Sequence, residues 1–280
     1  MRKNRSFETY ALITGAASGM GRIYALRLAE MGYNLILVDI NEKGLAETEM
    51  LAKAEVSASS VIPSITKQKF DVLVVPQDLS AVDAADKIYE KTDSAGCQVE
   101  VLVNNAGVMY CQGIAETSER MLKLIMMVHM NTPLMLCRKY VGQMKERGNG
   151  YILNISSLAA WMSWPGIGMY GNTKRFVRDY SRELRIECQK TGVSVTNAYF
   201  GAVDTPLIPL KDSLRKLARG LTVMIRPEKA VDRALRATFR RRKGTMPGLL
   251  NKIFWPFIVI LPDCLLGWIY RKAKPYLMKV

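Results

Sequence analysis

The sequence has few of the residues that disulfide and metal chemistry require. It contains one histidine, His129, and five cysteines at positions 97, 111, 137, 188 and 264, with no Cys-x-x-Cys pair among them. An odd number of scattered cysteines argues against a disulfide framework or a zinc site and is typical of a reducing cytosol. One histidine also gives little support to a Ser-His-Asp triad. We therefore predict no bound metal and interpret His129 as a hydrogen-bonded or solvent-facing side chain.

Acidic residues are scarce in the last quarter of the chain. Residues 1–210 hold 23 Lys and Arg against 21 Asp and Glu, whereas residues 211–280 hold 17 against 4, so this segment carries most of the net charge of +15. No nucleic-acid-binding motif accompanies the charge, and we expect no nucleic-acid partner. The first residues lack the continuous apolar run of a signal peptide, so we expect a cytoplasmic protein.

Short apolar runs alternate with helical stretches. The runs cover residues 10–14, 35–38, 72–75, 99–103, 151–155 and 193–199. Continuous apolar runs of this length are typical of strands buried on both faces, and their alternation with helices predicts parallel strands joined by right-handed crossovers. We predict an α/β fold with a single Rossmann-type, doubly wound parallel sheet and helices on both faces. Residues 1–205 would form the dinucleotide-binding and catalytic core, and residues 206–280 a substrate lid and a basic, apolar helical extension of the same domain.

A glycine-rich turn follows the first predicted strand. Residues 14–21 read Thr-Gly-Ala-Ala-Ser-Gly-Met-Gly and precede a helix. Glycine permits a tight turn and the close approach of backbone N–H groups to a pyrophosphate at the helix N-terminus, which predicts a dinucleotide site. Asp39 ends the second strand and can accept hydrogen bonds from the adenosine ribose while repelling a 2′-phosphate; the alternative is an ordinary acid that begins a turn. No Arg or Lys lies inside the glycine turn, so NAD(H) is favoured over NADP(H).

Tyr170 and Lys174 are four residues apart and would share one face of a helix. A nearby ammonium lowers the pKa of a tyrosine from about 10 toward the working range, so the phenol can exchange a proton with a carbonyl or alcohol oxygen. Ser157 can hydrogen-bond the same oxygen. Alone, such a pair is more often an exposed helix pair, and it gains meaning from the glycine turn and the motifs that accompany it.

Together these motifs resemble the short-chain dehydrogenase/reductase family over about residues 8–206. The turn has the spacing TGxxxGxG, residues 104–107 read NNAG, and YxxxK follows at residues 170–174. The C-terminal pattern is more loosely similar to the branch that includes 17β-hydroxysteroid dehydrogenases and long-chain 3-oxoacyl-CoA reductases. The resemblance implies an NAD(H)-dependent oxidoreductase that interconverts a secondary alcohol and a ketone. It implies that catalysis is carried by Asn131, Ser157, Tyr170 and Lys174, with Asn131 anchoring a water that relays protons through Lys174.

The resemblance also implies the contacts with the cofactor. Asp78 follows the third strand and would contact adenine, and Lys174 would bind the nicotinamide ribose. The implied cofactor-binding residues are Thr14, Gly15, Ser18, Gly19, Met20, Gly21, Asp39, Asp78, Leu79, Asn105, Ala106, Gly107, Tyr170, Lys174, Gly201, Val203 and Thr205. Phe200 departs from the pattern because the family usually has proline at this position, before Gly201.

The stretch between Ser157 and Tyr170 is rich in large apolar residues, including Trp161 and Trp164. Such a lining suits a lipid-like ketone or alcohol, and we expect Ser157, Trp161, Trp164 and Tyr170 to contact the substrate. The alternative is packing against another subunit or the C-terminal extension. A hydroxysteroid, including the bile-acid type, is favoured, and a 3-oxoacyl thioester of CoA or acyl carrier protein is the alternative. A hypothesis of another class is a membrane-docked NAD-binding scaffold or redox sensor.

The C-terminal extension combines basic and apolar segments. Residues 212–226 predict a basic amphipathic helix, and residues 253–270 are strongly apolar between flanking cations. Two prolines and Asp263 argue against a membrane span, whereas aromatic residues beside lysine and arginine are typical of the membrane interface. We predict peripheral contact with the inner face of a membrane through residues 211–280; the alternative is a helix packed on the core or in an oligomer interface. The resemblance further implies a homo-oligomer, a dimer or a tetramer, formed through the helices that carry Asn131 and Tyr170.

Overall fold

The computed structural model describes residues 7–58, 69–161, 166–205, 224–247 and 261–277. The strands are β1 (Tyr10–Thr14), β2 (Asn34–Asp39), β3 (Val72–Pro76), β4 (Val99–Asn104), β5 (Gly150–Ser157), β6 (Val193–Phe200), β7 (Ala202–Val203), β8 (Met224–Ile225) and β9 (Gly244–Thr245). The helices are α1 (Gly19–Glu30), α2 (Glu42–Ala58), α3 (Ala84–Ser94), α4 (Glu119–Met126), α5 (Thr132–Glu146), α6 (Gly168–Glu187), α7 (Pro227–Phe239) and α8 (Asp263–Leu277). A π-helical turn (Met127–Asn131) joins α4 to α5, and a 3₁₀ turn (Leu158–Trp161) follows β5.

Seven parallel strands form one sheet in the order β3-β2-β1-β4-β5-β6-β9. The chain winds outward from β1 in one direction and from β4 in the other, so the loops after these two neighbouring strands diverge and leave a crevice between them. All six predicted strands are present, with ends that differ from the prediction by at most two residues. The predicted doubly wound α/β fold is therefore confirmed.

Apolar side chains cover both faces of the sheet. Leu12 and Ile36 contribute to a core cluster on one face, whereas their chain neighbours Ile13 and Leu37 contribute to a cluster on the other. Successive side chains of a strand point to opposite faces, so a strand that is buried on both faces needs apolar residues at every position. This requirement explains why the strand segments read as continuous apolar runs.

Part of the chain beyond residue 205 belongs to the same core. Helix α7 contributes Ala230, Val231 and Ala234 to one of the two core clusters. Strand β9 extends the sheet by pairing with β6, where Asn197 faces Gly244. The predicted extension therefore completes the sheet before it continues toward the C-terminus.

The helix predicted over residues 212–226 lies mostly outside the described residues. Where the structure describes it the prediction is wrong, because Met224 and Ile225 form β8 and pair with β7. Arg226 is extended and precedes Pro227, the first residue of α7. A residue before proline is sterically disfavoured in the helical conformation, so a helix cannot run smoothly through this point.

The apolar segment predicted over residues 253–270 is described from residue 261 onward, where α8 begins at Asp263. Within the described ranges, no helix has both the length and the apolar character that a membrane crossing needs.

A chain of buried amide hydrogen bonds fixes the end of β4 relative to its neighbours. Asn104 Nδ2 donates to Asn154 Oδ1 at 2.8 Å, and Asn154 Nδ2 donates to Ser181 Oγ at 2.9 Å. These side chains lie on β4, β5 and α6, and all three are at most 5 % exposed. Because unpaired amides are costly in such surroundings, the chain holds the loop after β4 in a set position relative to α6.

Candidate active site

A cleft of about 530 Å³ opens at the carboxyl ends of the strands. It lies where β1 and β4 diverge, the place at which open α/β sheets bind their ligands. Its lining residues are Gly15, Ser18, Gly19, Met20, Asp39, Ile40, Gln77, Asp78, Leu79, Asn105, Ala106, Gly107, Val108, Met109, Leu124, Val128, Ile155, Ser156, Tyr170, Lys174, Phe200, Gly201, Val203 and Thr205. Most of the predicted cofactor-binding residues are therefore together in one cleft.

The glycines of the turn leave space that a side chain at their positions would occupy. A Cβ atom on Gly21 would overlap the carbonyl of Gly15, and one on Gly15 would lie 2.9 Å from Ala106 Cα. Gly15 and Gly19 have φ values of 69° and 53°, which favour glycine. Beside Gly19 a Cβ would meet nothing within 4 Å, so space remains next to the N-terminus of α1. This shape and the free N–H groups of the first helical turn fit a pyrophosphate.

Thr14 binds the loop after β4 to the glycine turn. Its Oγ1 accepts hydrogen bonds from the backbone N–H groups of Asn105 at 3.0 Å and Ala106 at 3.1 Å. Asn105 Nδ2 donates in return to the Thr14 carbonyl at 3.0 Å. The two loops that border the crevice are thus held together by side chains of the predicted motifs.

Asp39 presents a fixed carboxylate at the end of β2. Oδ2 accepts a hydrogen bond from the Ala17 N–H at 3.1 Å, and Oδ1 accepts one from the Asn41 N–H at 3.0 Å. Asp78 after β3 is held similarly, since Oδ1 accepts from the Ser80 N–H at 2.8 Å. Both acids line the cleft on the side where the resemblance places the adenosine.

Arg22 is the first cation after the glycine turn, and its guanidinium is bound elsewhere through Nε and Nη2. Nη2 donates to the Ala17 carbonyl at 2.6 Å and to Glu47 Oε2 at 2.7 Å, while Nε donates to Thr48 Oγ1 at 3.0 Å. A guanidinium that is bound to a carboxylate and to a backbone carbonyl is not readily available to a phosphate.

Ser157 and Tyr170 are brought together by the end of β5 and the first turn of α6. Ser157 Oγ donates to the Phe200 carbonyl at 3.3 Å. Burial raises the pKa of Tyr170, although hydrogen bonding with the nearby Ser157 hydroxyl opposes the rise. The sequence-based prediction of a lowered tyrosine pKa is therefore wrong for this structure, because desolvation disfavours the phenolate more than its neighbours favour it.

The charge of Lys174 does not offset the effect of burial on the pKa of Tyr170, because the lysine is itself buried and bound to a backbone carbonyl. The side chain is 5 % exposed, and Nζ donates to the Ile155 carbonyl at 3.0 Å. Nζ lies 5.8 Å from the centroid of the Tyr170 ring. Burial lowers the pKa of Lys174 from its usual 10.5 to about 8, so part of the population is neutral near neutral or slightly alkaline pH. Tyr170 and Lys174 share one site as predicted, but both are tuned mainly by burial.

Asn131 is the last residue of the π-helical turn between α4 and α5. Insertions of this kind are frequent at functional sites because they redirect a side chain within a helix. The water that Asn131 would anchor stays a prediction.

His129 lies in the same π-helical turn and is buried, with a hydrogen-bond partner at each ring nitrogen. This confirms the interpretation of His129 as a hydrogen-bonded side chain and corrects the alternative of a solvent-facing one. Its position beside Tyr170 was not predicted, because no motif in the sequence relates residue 129 to residue 170. Among the described residues, no cluster of three or more His, Cys, Asp or Glu side chains could hold a metal ion.

Two further groups contribute to the site and were not predicted from the sequence. Ser156 lines the cleft, and its Oγ donates to the Lys174 carbonyl at 2.9 Å. The carbonyl of Ile155 binds the lysine ammonium. Ser156 was not predicted because its spacing from Tyr170 differs from that of Ser157. The carbonyl of Ile155 could not be predicted because every residue type carries a backbone carbonyl.

Phe200 does not disturb the strand that leads to the nicotinamide loop. It is 4 % exposed and remains paired with β5 opposite Ser157. Beyond it, Gly201, Val203 and Thr205 line the cleft as expected. The replacement of proline thus leaves the loop on the correct side of the sheet.

The predicted substrate contacts are only partly described. Trp164 lies outside the described residues. Trp161 packs against the ring of Tyr199, with centroids 4.4 Å apart, and the Arg178 guanidinium lies 5.4 Å from its ring. Contact between either tryptophan and the substrate stays a prediction.

Comparison with known proteins independently supports the family resemblance. The family model for short chain dehydrogenases matches residues 9–213. A diacetyl reductase [(S)-acetoin forming] of Staphylococcus epidermidis is 30% identical over 214 residues, which cover 73% of this chain and 78% of that protein. A very-long-chain 3-oxoacyl-CoA reductase of Mycosarcoma maydis is 26% identical over 264 residues, which cover 91% of this chain and 68% of that protein.

Solved structures share the fold. A 7beta-hydroxysteroid dehydrogenase structure superposes with a TM-score of 0.78 at 22% identity, covering 91% of this chain and 93% of that one. Other structures with this fold are complexes with NADPH in one case and NAD in another.

The burial of Lys174 leads to a direct prediction. In uniformly ¹³C-lysine-labelled protein, one Cε resonance should titrate near pH 8, about two units below an ordinary lysine, whose pKa is about 10.4. The resonance is assigned by its loss in the Lys174→Met variant. Titration of this resonance above pH 10 would contradict the assignment of a desolvated amine.

Proposed function

The chain belongs to the short-chain dehydrogenase family, an oxidoreductase family that uses a nicotinamide cofactor and alcohol- or ketone-type substrates, and on that basis we propose a specific reaction. The protein interconverts a secondary alcohol and a ketone on a hydrophobic substrate and uses NAD(H). The observation that supports this most strongly is the placement of Tyr170 and Lys174 in the cleft that also contains the glycine turn, with the Ser157 hydroxyl near enough to Tyr170 to lower its pKa.

Tyr170 is the proton donor in the direction of ketone reduction. When bound, the nicotinamide supplies or accepts the hydride. With substrate bound, the Ser157 hydroxyl would turn from the Phe200 carbonyl to the substrate oxygen and orient it, while Tyr170 gives that oxygen a proton. Because burial raises the pKa of Tyr170, the phenol is protonated at neutral pH and ready to donate. In alcohol oxidation the same groups act in reverse.

Lys174 supports proton exchange at this site. Its pKa of about 8 lies near the working pH, so the amine can take up and release protons during turnover. It would also bind the nicotinamide ribose, and Asn131 would anchor a water next to it. Thr14, Ser18, Met20, Leu79, Ala106, Gly107, Val203 and Thr205 complete the proposed cofactor contacts.

Substitution of the tyrosine separates chemistry from binding. Tyr170→Phe should lower kcat at least about 100-fold, because the proton donor is lost, while the Kd for NADH measured by fluorescence changes less than about threefold. Tyr24→Phe is the matched control, since it also removes a buried hydroxyl, one that has no hydrogen-bond partner. Unchanged turnover in Tyr170→Phe would exclude the proposed role and favour a scaffold or sensor function.

A hydrophobic substrate is supported by the part of the cleft that continues past Gly107. Met109, Leu124 and Val128 line this part, and none of them carries a polar group. A hydroxysteroid, including the bile-acid type, fits such a surface, and a 3-oxoacyl thioester is the alternative. The relatives include enzymes named for each of these classes and one named for a small diketone. Assays with panels of steroids, bile acids and acyl thioesters distinguish the candidates.

NAD(H) is the preferred cofactor in this proposal. The carboxylate of Asp39 stands where it can bind the ribose hydroxyls of the adenosine and repel a 2′-phosphate, and the guanidinium of Arg22 is engaged by Glu47 and Ala17. Neither residue offers a positive charge to the 2′-phosphate of NADPH.

The isosteric substitution Asp39→Asn tests this preference. It removes the charge and keeps one side-chain oxygen as an acceptor for the Ala17 or the Asn41 N–H, so the ratio of the NADPH and NADH dissociation constants should fall at least about tenfold relative to the wild type. Asp83→Asn, an exposed acid of the surface pair with Lys87, is the control and should leave the ratio unchanged. Tighter binding of NADPH than NADH by the wild-type protein would contradict the assignment.

Helices α5 and α6 are the proposed oligomer interface. Ile186 near the end of α6 is 53 % exposed, and Met126 at the end of α4 is 39 % exposed. Large apolar side chains left in water at neighbouring helices favour a covered face. Association into a dimer or tetramer would bury them.

Helix α8 supports peripheral contact with a membrane. Its exposed residues Cys264, Leu265, Trp268, Arg271 and Lys272 recur at helical spacing and form one stripe. Leu265 and Trp268 are 40 % and 54 % exposed, whereas Leu266 on the other side is buried. An apolar and aromatic stripe that ends in cations is typical of a helix in the membrane interface.

Two further observations favour this contact. A Cβ atom on Gly166 would lie 3.6 Å from the Tyr270 ring, so α8 lies beside the segment that leads into α6 and Tyr170. A second cavity of about 130 Å³ is lined by Arg233, Arg236, Arg240 and Arg242, and its described lining includes no carboxylate. These cations would add to the attraction of the protein for an anionic membrane surface.

Vesicle sedimentation tests the membrane proposal. The protein should bind phosphatidylcholine vesicles that contain phosphatidylglycerol, bind less as salt is raised, and bind pure phosphatidylcholine weakly. Trp268→Ser should weaken binding at least about fivefold, which corresponds to about 1 kcal/mol. The control Val82→Ser alters an apolar side chain that is 84 % exposed outside α8. No binding to anionic vesicles at low salt, or equal weakening by both variants, would contradict the proposal.

A further inference from the structure

His129 is buried beside the catalytic pair, yet the reaction described above does not use it. The side chain is 1 % exposed, and its ring meets the ring of Tyr170 edge-on with centroids 5.7 Å apart. A Cβ atom on Gly107 would lie 3.1 Å from His129 Nε2 and 3.7 Å from Lys174 Nζ. The imidazole therefore lies between the loop after β4 and the helix that carries Tyr170 and Lys174.

Two hydrogen bonds determine the tautomer of this ring. Nε2 accepts from the backbone N–H of Val108 at 2.9 Å. A nitrogen that accepts a hydrogen bond carries no proton, so the neutral ring is protonated at Nδ1. Nδ1 lies 2.9 Å from Thr173 Oγ1 and therefore donates to that hydroxyl.

Thr173 extends the connection to the catalytic tyrosine. Its Oγ1 donates to the backbone carbonyl of Tyr170 at 2.9 Å. The donors and acceptors thus run in one direction from the Val108 N–H through His129 and Thr173 to Tyr170. Each group has the partner it needs, and both side chains are at most 1 % exposed, so the arrangement has little freedom to rearrange.

The Val108 end of this connection belongs to the loop that contains Asn105, Ala106 and Gly107. Thr14 holds the first part of that loop through the N–H groups of Asn105 and Ala106. His129 holds its far end through the N–H of Val108. The loop is therefore fixed to the glycine turn on one side and to α6 on the other.

We propose that His129 is a neutral positioning residue, which acts through Thr173 to fix the loop after β4 relative to Tyr170. The inference rests on the proposed oxidoreductase function and adds a residue that determines the geometry of the active site. In this arrangement the cofactor-binding loop and the proton donor keep a constant separation, which transfer of hydride and proton to one substrate requires.

The ring has to stay neutral for this role. A proton on Nε2 would place two donors face to face at Val108 and break the hydrogen bond. Among the described residues, the titratable groups that face the ring are Lys174 and Tyr170 of α6. Burial and the Lys174 charge hold the pKa of His129 well below its usual value of 6.5, so the connection persists at neutral pH and is lost only in acid.

A matched pair of substitutions at Thr173 tests the connection without altering the imidazole. Thr173→Val keeps the volume and removes the hydroxyl, and it should lower kcat about tenfold while the Kd for NADH changes less than about threefold. Thr173→Ser retains the hydroxyl and should restore kcat to within about threefold of the wild type. A purely structural role would lower the unfolding midpoint and leave kcat per folded molecule unchanged.

A second test uses binding alone. The Kd of NADH at pH 7, measured by fluorescence, should rise about tenfold in His129→Leu, which leaves the Val108 N–H without an acceptor, with folding monitored by circular dichroism. His129→Gln offers a neutral acceptor to Val108, so its Kd should stay within about twofold of the wild type.

The outcomes separate this inference from the function on which it rests. Absence of NADH binding at every pH would remove the proposed function itself. NADH binding with an inactive Tyr170→Phe variant, but with equal NADH affinity in the wild type and His129→Leu, would overturn the role of His129 and leave the function intact. The two His129 variants decide the matter if Thr173→Val does not fold.

Discussion

The active site depends on the divergence of the loops after two adjacent parallel strands, β1 and β4. Parallel strands place their carboxyl ends at one edge of the sheet, and reversal of the winding direction at this point leaves a crevice that no crossover covers. Thr14 and Asn105 then tie the two loops to each other across the crevice. The glycine turn, Ser157 at the end of β5 and the loop after β6 all take their positions from this edge.

Burial is the second constraint, because it sets the protonation states of the reacting groups. Lys174 and His129 are buried and Tyr170 is half-buried, and desolvation is the largest cause of the pKa shift of each. The result is a protonated phenol, an amine that titrates near the working pH and a neutral imidazole. These three states follow from the packing of α6 against the π-helical turn and the loop after β4, so the chemistry depends on the same contacts that hold the helix in place.

Much of this could be predicted from the sequence, and the exceptions have physical reasons. Continuous apolar runs predicted six strands because strands buried on both faces require them, and the glycine turn was recognisable because only glycine fits its geometry. The direction of the Tyr170 pKa shift was not predictable, since it depends on how deeply the tyrosine and its lysine are buried. The place of His129 was equally inaccessible, because it depends on a contact across 41 residues of chain. The helix predicted over residues 212–226 was wrong at its described end, residues 224–226, because the helical pattern competed there with strand pairing and with Pro227.

The central claim is that this cleft transfers hydride between a nicotinamide and a hydrophobic ketone while Tyr170 transfers the proton. The most direct measurement follows the hydride itself, with NADH deuterated at C4 of the nicotinamide and the panel of steroid ketones and 3-oxoacyl thioesters, analysed by mass spectrometry. The account predicts an alcohol that carries one deuterium at the former carbonyl carbon, formed by the wild-type protein and lost in Tyr170→Phe. Failure to form a labelled alcohol from any member of the panel, under conditions in which NADH is bound, would contradict it.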